Sequence, residues 1–204
     1  GIGGAYWQPD LPRVTPGPTA LTVELLFLPS ERPNPSVRSL RVAVAGGRSR
    51  QVENVLARRE FLAGPRTGAL VARAVDCQGA TCGFLALSRT YNVQGDRCDA
   101  IGEGLPGVGP DSGLRPGQRA VFEGVANNND FRGYLGFASW CGMRVEVHAV
   151  LRAAGGEVIG EMREGVESWS HRHLRLPRSC SGVRLEVEVL GETEAMVFPY
   201  LSTV

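Results

Sequence analysis

The sequence predicts an all-β protein built of antiparallel sheets, arranged as two similar β-sandwich halves. Three observations carry that expectation. Apolar runs of strand length recur along the 204 residues. Several of them alternate apolar and polar residues at period two, the pattern of a strand with one buried face. Glycine (27) and proline (13) stand between the runs and punctuate them, so they do not form a low-complexity tract. Hydrophobic residues make up 43% of the chain, enough for a packed core.

In chain order, LTVELLFL (21–28) is the first candidate strand, interrupted only by Glu24, and SLRVAVAG (39–46) follows it. QVENVLARREFL (51–62) is the helical candidate, because Val52, Val55, Leu56 and Arg59 fall at helical spacing over about three turns. GALVARAV (68–75) and GFLALSRTYN (83–92) read as a hairpin. RAVFEGVA (119–126), GYLGFAS (133–139), MRVEVHAVL (143–151) and GEVIGEM (156–162) are short and bounded by turn residues. VRLEVEVL (183–190) is the clearest alternation, with Val183, Leu185, Val187 and Val189 on one face and Arg184, Glu186 and Glu188 on the other. AMVFPYL (195–201) closes a second hairpin.

Two stretches align with two others in the same order. Residues 21–33 match 143–156, with Glu24 against Glu146, and residues 68–92 match 182–204. The chain therefore divides into halves at 1–92 and 119–204, joined by a Gly/Pro-rich linker at 93–118.

Five cysteines constrain the compartment. Cys77 and Cys82 flank the turn Gln78–Thr81 and would face each other across the hairpin within disulfide reach. A zinc knuckle would need a second ligand pair nearby, and a redox pair would be spaced C-x-x-C. The staple closes a short loop, worth only ~2 kcal/mol. Cys141 and Cys180 would close a loop of about 40 residues, worth roughly 4 kcal/mol. Cys98 is left over as a free or intermolecular thiol, with Cys141 and Cys180 as alternative partners. Disulfides place the protein in an oxidising compartment, secreted or at the cell surface. GIGGAYWQPD itself lacks the basic start and apolar core of a signal peptide.

A net charge of +1 supplies no long-range field for nucleic acid, and no apolar run reaches the ~20 residues of a membrane helix. All 22 basic residues are arginine, as expected of a GC-rich genome.

GGAYWQPDL (3–11), LLFLPSERPNP (25–35), VENVLA (52–57), GALVARA (68–74), SRTYN (88–92), IGEGLPG (101–107) and NNNDFRGYLGF (127–137) occur in that order. In these motifs nearly the whole chain resembles a group of exported bacterial β-sandwich modules, often found in tandem as appended parts of large secreted or surface proteins. It departs from the group in its five cysteines and in WQPDL, where a Thr usually precedes the Asp. The resemblance implies a secreted, non-enzymatic, immunoglobulin-like module, and carries over no catalytic residue.

SWSHRHLRLPRSC (168–180) is the best place to look for a site. His171 and His173 share one side of an extended segment, with Glu164 and Glu167 nearby, which makes them weak candidates for a metal face. The simpler reading is two exposed histidines among arginines, and His148 is read as a strand residue facing its neighbour. There is no G-x-S-x-G elbow, IGEGLPGVG lacks the Lys-Ser/Thr of a phosphate loop, and NNNDF (127–131) reads as a polar turn and not as a calcium loop. Trp7, Trp140 and Trp169 are candidates for stacking on a glycan, although core positions explain them as well. The expectation is a non-catalytic structural or adhesive protein without a cofactor, acting through contact with other subunits or copies of itself. A carbohydrate-binding module is the alternative.

Overall fold

The computed structural model describes residues 7–14, 17–34, 36–61, 67–76, 83–92, 101–140, 143–176, 179–191 and 195–203; of 7–14, 90–92, 101–103, 110 and 203 it describes the backbone alone. Among these residues the protein is all-β, with antiparallel sheets and no α-helix. Among the described residues no helix is long and apolar enough to cross a membrane. The chain forms two compact units: Gly1–Phe27 with Ser36–Val108, and Leu28–Pro35 with Gly109–Val204.

Unit 1 contains β1 (Trp7–Val14), β2 (Leu21–Pro29, whose last two residues belong to unit 2), β3 (Arg38–Val44), β4 (Ser49–Val52), β5 (Gly68–Ala74), β6 (Leu85–Asn92) and β7 (Ile101–Pro106). They lie in two sheets, ordered β4-β1-β6-β7 and β3-β2-β5. Val23, Leu25 and Phe27 of β2, Val42 and Val44 of β3, and Val52, Val55 and Phe61 are buried together, with Leu70, Ala72 and Ala86 packed against them. Side chains from both sheets thus meet in one core. On the other face of β2, the Glu24 carboxylate is buried and accepts hydrogen bonds from Arg73 Nε and Nη2 (2.9 and 2.6 Å), Arg41 Nε (3.1 Å) and Ser39 Oγ (3.2 Å). The Arg73 hydrogen bond is the main reason its pKa falls below the ordinary 4.5, against the opposing effect of burial.

Unit 2 contains β8 (Arg119–Asn127), β9 (Gly133–Ser139), β10 (Val145–Arg152), β11 (Val158–Val166), β12 (Ser170–Arg175), β13 (Cys180–Leu190) and β14 (Val197–Thr203). Its sheets are ordered β11-β10-β13-β8 and β12-β9-β14. The alternation of 183–190 holds: Val183, Leu185, Val187 and Val189 are buried beside Val145, Val147, Ala149 and Leu151, and Leu135, Phe137 and Val197 join them from the other sheet. Each such aliphatic side chain contributes about 1.5–3 kcal/mol by leaving water. The opposite face of β10 and β13 carries ion pairs, including Arg152–Glu186 and Arg163–Glu146. There His148 Nε2 lies 2.5 Å from Glu161 Oε1, so His148 does face a neighbouring strand.

The two units share one pairing scheme. β1 lies between β4 and β6 while β9 lies between β12 and β14; β2 lies between β3 and β5 while β10 lies between β11 and β13. Strands β1 to β6 thus correspond in order to β9 to β14. β2 thus corresponds to β10, β5 to β13 and β6 to β14 in their places within the sheets.

Three expectations are corrected. Residues 51–62 do not form a helix: β4 ends at Val52, Asn54 is left-handed (φ 45°), and only a 3-10 turn, Val55–Ala57, follows. Burying Val52, Val55 and Phe61 in one core outweighs the propensity of so short a window. The two hairpins are not hairpins either, since β5 and β6 lie in different sheets, as do β13 and β14. Alternation says which face of a strand is buried but not which strand lies beside it. Finally, the segment 93–118 is more than a linker: β7 pairs with β6, and Leu114 forms an isolated bridge with Val197.

Candidate functional site

The richest polar constellation lies on one face of the sheet β12-β9-β14, where the register brings together residues of three strands. His171 stands opposite Ala138, which stands opposite Phe198; His173, Gly136 and Tyr200 form the next row, and Arg175, Tyr134 and Ser202 the one after. Partners directly opposite one another share a face. Leu135, Phe137 and Val197 point the other way, into the core. The rings lie nearly parallel: Tyr134 and His173 have centroids 4.6 Å apart at 21°, and His171 and Tyr200 5.8 Å apart at 16°. Gly136 is what permits this, because a Cβ there would fall 2.1 Å from Tyr200 Cζ.

His171 is 2% exposed, and both its ring nitrogens meet hydroxyls: Nδ1 lies 2.6 Å from Ser30 Oγ and Nε2 2.6 Å from Tyr200 Oη. A neutral imidazole donates from one nitrogen and accepts at the other, and a hydroxyl suits either role, so the chain Ser30–His171–Tyr200 is satisfied without charge. Burial, and next the neighbouring His173, push the His171 pKa down to about 3. His173 is lowered by burial, which outweighs the opposing Glu31 carboxylate, and Tyr200 is raised by burial. His173 Nε2 reaches Ser202 Oγ at 3.1 Å.

Ser30 comes from the segment Leu28–Pro35, which belongs to unit 2 and runs beside the edge strand β12. Ser30 bridges His171 in parallel sense and Pro33 bridges Ser170 in antiparallel sense. Glu31 N donates to His171 O at 2.9 Å, and Glu31 Oε1 accepts from His173 N at 3.1 Å. Arg172 pairs with Glu31 and also donates from Nε to Glu164 Oε1 at 2.8 Å. Asn34 Nδ2 donates to Trp169 O (2.9 Å) and Arg32 O (3.2 Å). Glu31 (φ 65°) and Trp169 (φ 49°) both adopt left-handed backbone here, a strain of the kind held only where surrounding bonds over-determine it. The segment is a clasp: a short turn of chain bridged to a sheet edge and locked by side chains.

The two histidines are therefore not exposed, contrary to the simpler reading of the sequence. Both His171 nitrogens and His173 Nε2 meet hydroxyls, while Glu164 pairs with Arg172 and Glu167 with Arg144. Among the described residues no group of three His, Cys, Asp or Glu is placed to hold a metal. Asn128 Oδ1 accepts from Asp130 N and Phe131 N, both at 2.9 Å, so NNNDF is a polar turn. Trp140 and Trp169 immediately flank the paired Ser139 and Ser170, at one end of the β9–β12 ladder. Trp7 belongs to β1 of unit 1, and its side chain is outside the described residues. Cys180 is a buried free thiol among the described residues, while Cys77, Cys82, Cys98 and Cys141, and with them the expected bridges, lie outside these.

Ser30, Glu31, Asn34, Tyr200 and Ser202 had no place in the sequence-derived site. The signal for the first three was present in LPSERPNP, a polar and proline-rich run that directly follows the largely apolar LTVELLFL. In comparisons with known proteins, no family model, no curated protein and no solved structure matches this chain.

Proposed function

We propose that this is a non-catalytic structural or adhesive protein of the secreted or cell-surface kind, made of two immunoglobulin-like β-sandwich halves and acting through protein–protein contact, self-association included. The observation that carries this reading is the repeated pairing scheme, because tandem copies of one sheet architecture are the usual build of extended contact proteins. The clasp supports it from a second side. It holds a separate piece of chain against the edge of a sheet by main-chain and side-chain bonds, and exposed sheet edges are where β proteins take up further chains. Light scattering with negative-stain imaging, on protein kept free of reductant, is the test. Ordered oligomers or filaments that grow with concentration are expected. A monomer at every concentration would remove self-association as the mode of action.

The second reading is a carbohydrate-binding module. Trp140 and Trp169 at one ladder end, with Tyr134, His173 and Tyr200 stacked on the same sheet, favour it, since apolar sugar faces stack on rings. A glycan panel read by tryptophan fluorescence tests it, and quenching abolished by Trp169→Ala is the supporting result.

A further inference from the structure

We propose that the outer edge of β14, from Pro199 to Thr203, accepts an extended segment of a partner polypeptide patterned like Ile101–Pro106. This rests on the reading that the protein works through protein contact, and it names the surface.

The argument comes from comparing equivalent edges. β6 and β14 hold the same position in their sheets, each flanking the central strand, β1 or β9. On β6 the outer side is covered by β7, whose register runs from Leu87↔Pro106 to Asn92↔Ile101, and Gly107 N continues it by donating to Ala86 O at 2.7 Å. On β14 the same pairing begins and stops. Leu114 N donates to Val197 O (2.7 Å), and Val197 N donates to Leu114 O (2.9 Å). The residues before Leu114 do not run on along β14 as those before Gly107 run along β6, because Pro110–Ser112 turns into a 3-10 helix. Among the described residues β14 is thus an edge strand that carries only the first pair of bonds of the ladder its counterpart completes.

The backbone that remains is suited to such a partner. Both main-chain groups of Val197 face Leu114, and in an antiparallel ladder alternate residues bond to the same side, so Pro199, Leu201 and Thr203 present theirs to the open edge. Pro199 offers only a carbonyl, while Leu201 and Thr203 offer both groups. The bonded length is short, as it is for β7, and two of the six residues of β7 are glycine. An extended segment is the class of ligand that this edge fits, held by main-chain bonds and needing no deep side-chain pocket.

The test uses the full chain and a capped peptide of residues 100–107, AIGEGLPG, with amide exchange followed residue by residue. At peptide near ten times its Kd, exchange at Leu201 and Thr203 slows roughly tenfold. The same peptide N-methylated at the glutamate, which removes one backbone donor and leaves the protein untouched, produces no slowing. Unchanged exchange at millimolar peptide overturns the proposal, and so does slowing confined to Ser88 and Thr90, which reports replacement of the chain's own β7. A protein that is monomeric by light scattering yet protected at β14 supports the proposal while removing self-association. A self-assembling protein unprotected at β14 overturns it and leaves that reading standing.

Discussion

His171 shows how one residue couples chemistry to stability. It is buried neutral between Ser30 and Tyr200, with His173 and the Glu31–Arg172 pair beside it. Its pKa is about 3 in the folded protein against an ordinary 6.5, so between those values the unfolded chain holds the extra proton. Stability contributed by His171 is therefore complete above pH 6.5 and declines as pH falls towards 3, by at most about 5 kcal/mol. Denaturant unfolding across this range is expected to slope with pH in the native protein and to slope less in His171→Gln. Glu24 acts lower: its pKa is depressed from 4.5, so its contribution is present above that value and is lost on further acidification. Glu24→Gln should remove slope only in that lower window. His171→Phe removes the hydrogen bonds to Ser30 and Tyr200 and is expected to cost about 1–3 kcal/mol by urea titration.

At the scale of elements, β12 is the informative strand. SHRHLR has almost no apolar content, yet it pairs along its whole length with β9 and carries the clasp. Its histidines are accommodated because the central strand is thin where they lie, Gly136 and Ala138 standing opposite His173 and His171. Gly136→Ala would drive a methyl into the Tyr200 ring and separate its hydroxyl from His171. The expected cost is about 1–3 kcal/mol, the range for overpacking, with a changed His171 imidazole signal by NMR as the accompanying sign. The four strands not foreseen share a cause. β1 contains Pro9 and Pro12, β4 and β12 are polar, and β7 is rich in glycine. Each is a strand because a neighbour supplies hydrogen-bond partners, not because its own side chains alternate.

For the whole molecule, the clasp means that unit 2 is not a contiguous stretch of chain. Leu28–Pro35 is part of it although the rest of the unit begins at Gly109. A fragment of residues 109–204 is expected to melt below the full chain, and a peptide of residues 27–36 added in trans should raise its Tm by mass action. Stabilisation of about 2.7 kcal/mol is expected at a hundred times Kd. Substituting Glu31 by Ala in the peptide should weaken the effect, since Glu31 bonds both Arg172 and the His173 amide. A fragment as stable alone as within the chain would show that the clasp adds nothing.

The sequence by itself determined the all-β class, ten of the strands and the apolar faces of those that alternate. These follow from period-two burial and from turn residues, which act locally. The segment 51–62, the partners of β5, β6, β13 and β14 and the burial of His171 and, in part, of His173 differ from the sequence expectation, because each depends on which distant segment lies alongside. Ser30 and His171 are separated by 141 positions and meet only through the clasp. Only the tertiary structure decided that, since a strand's neighbours are chosen by register and core packing across the chain, and a histidine's charge state is set by whatever those neighbours bury it against.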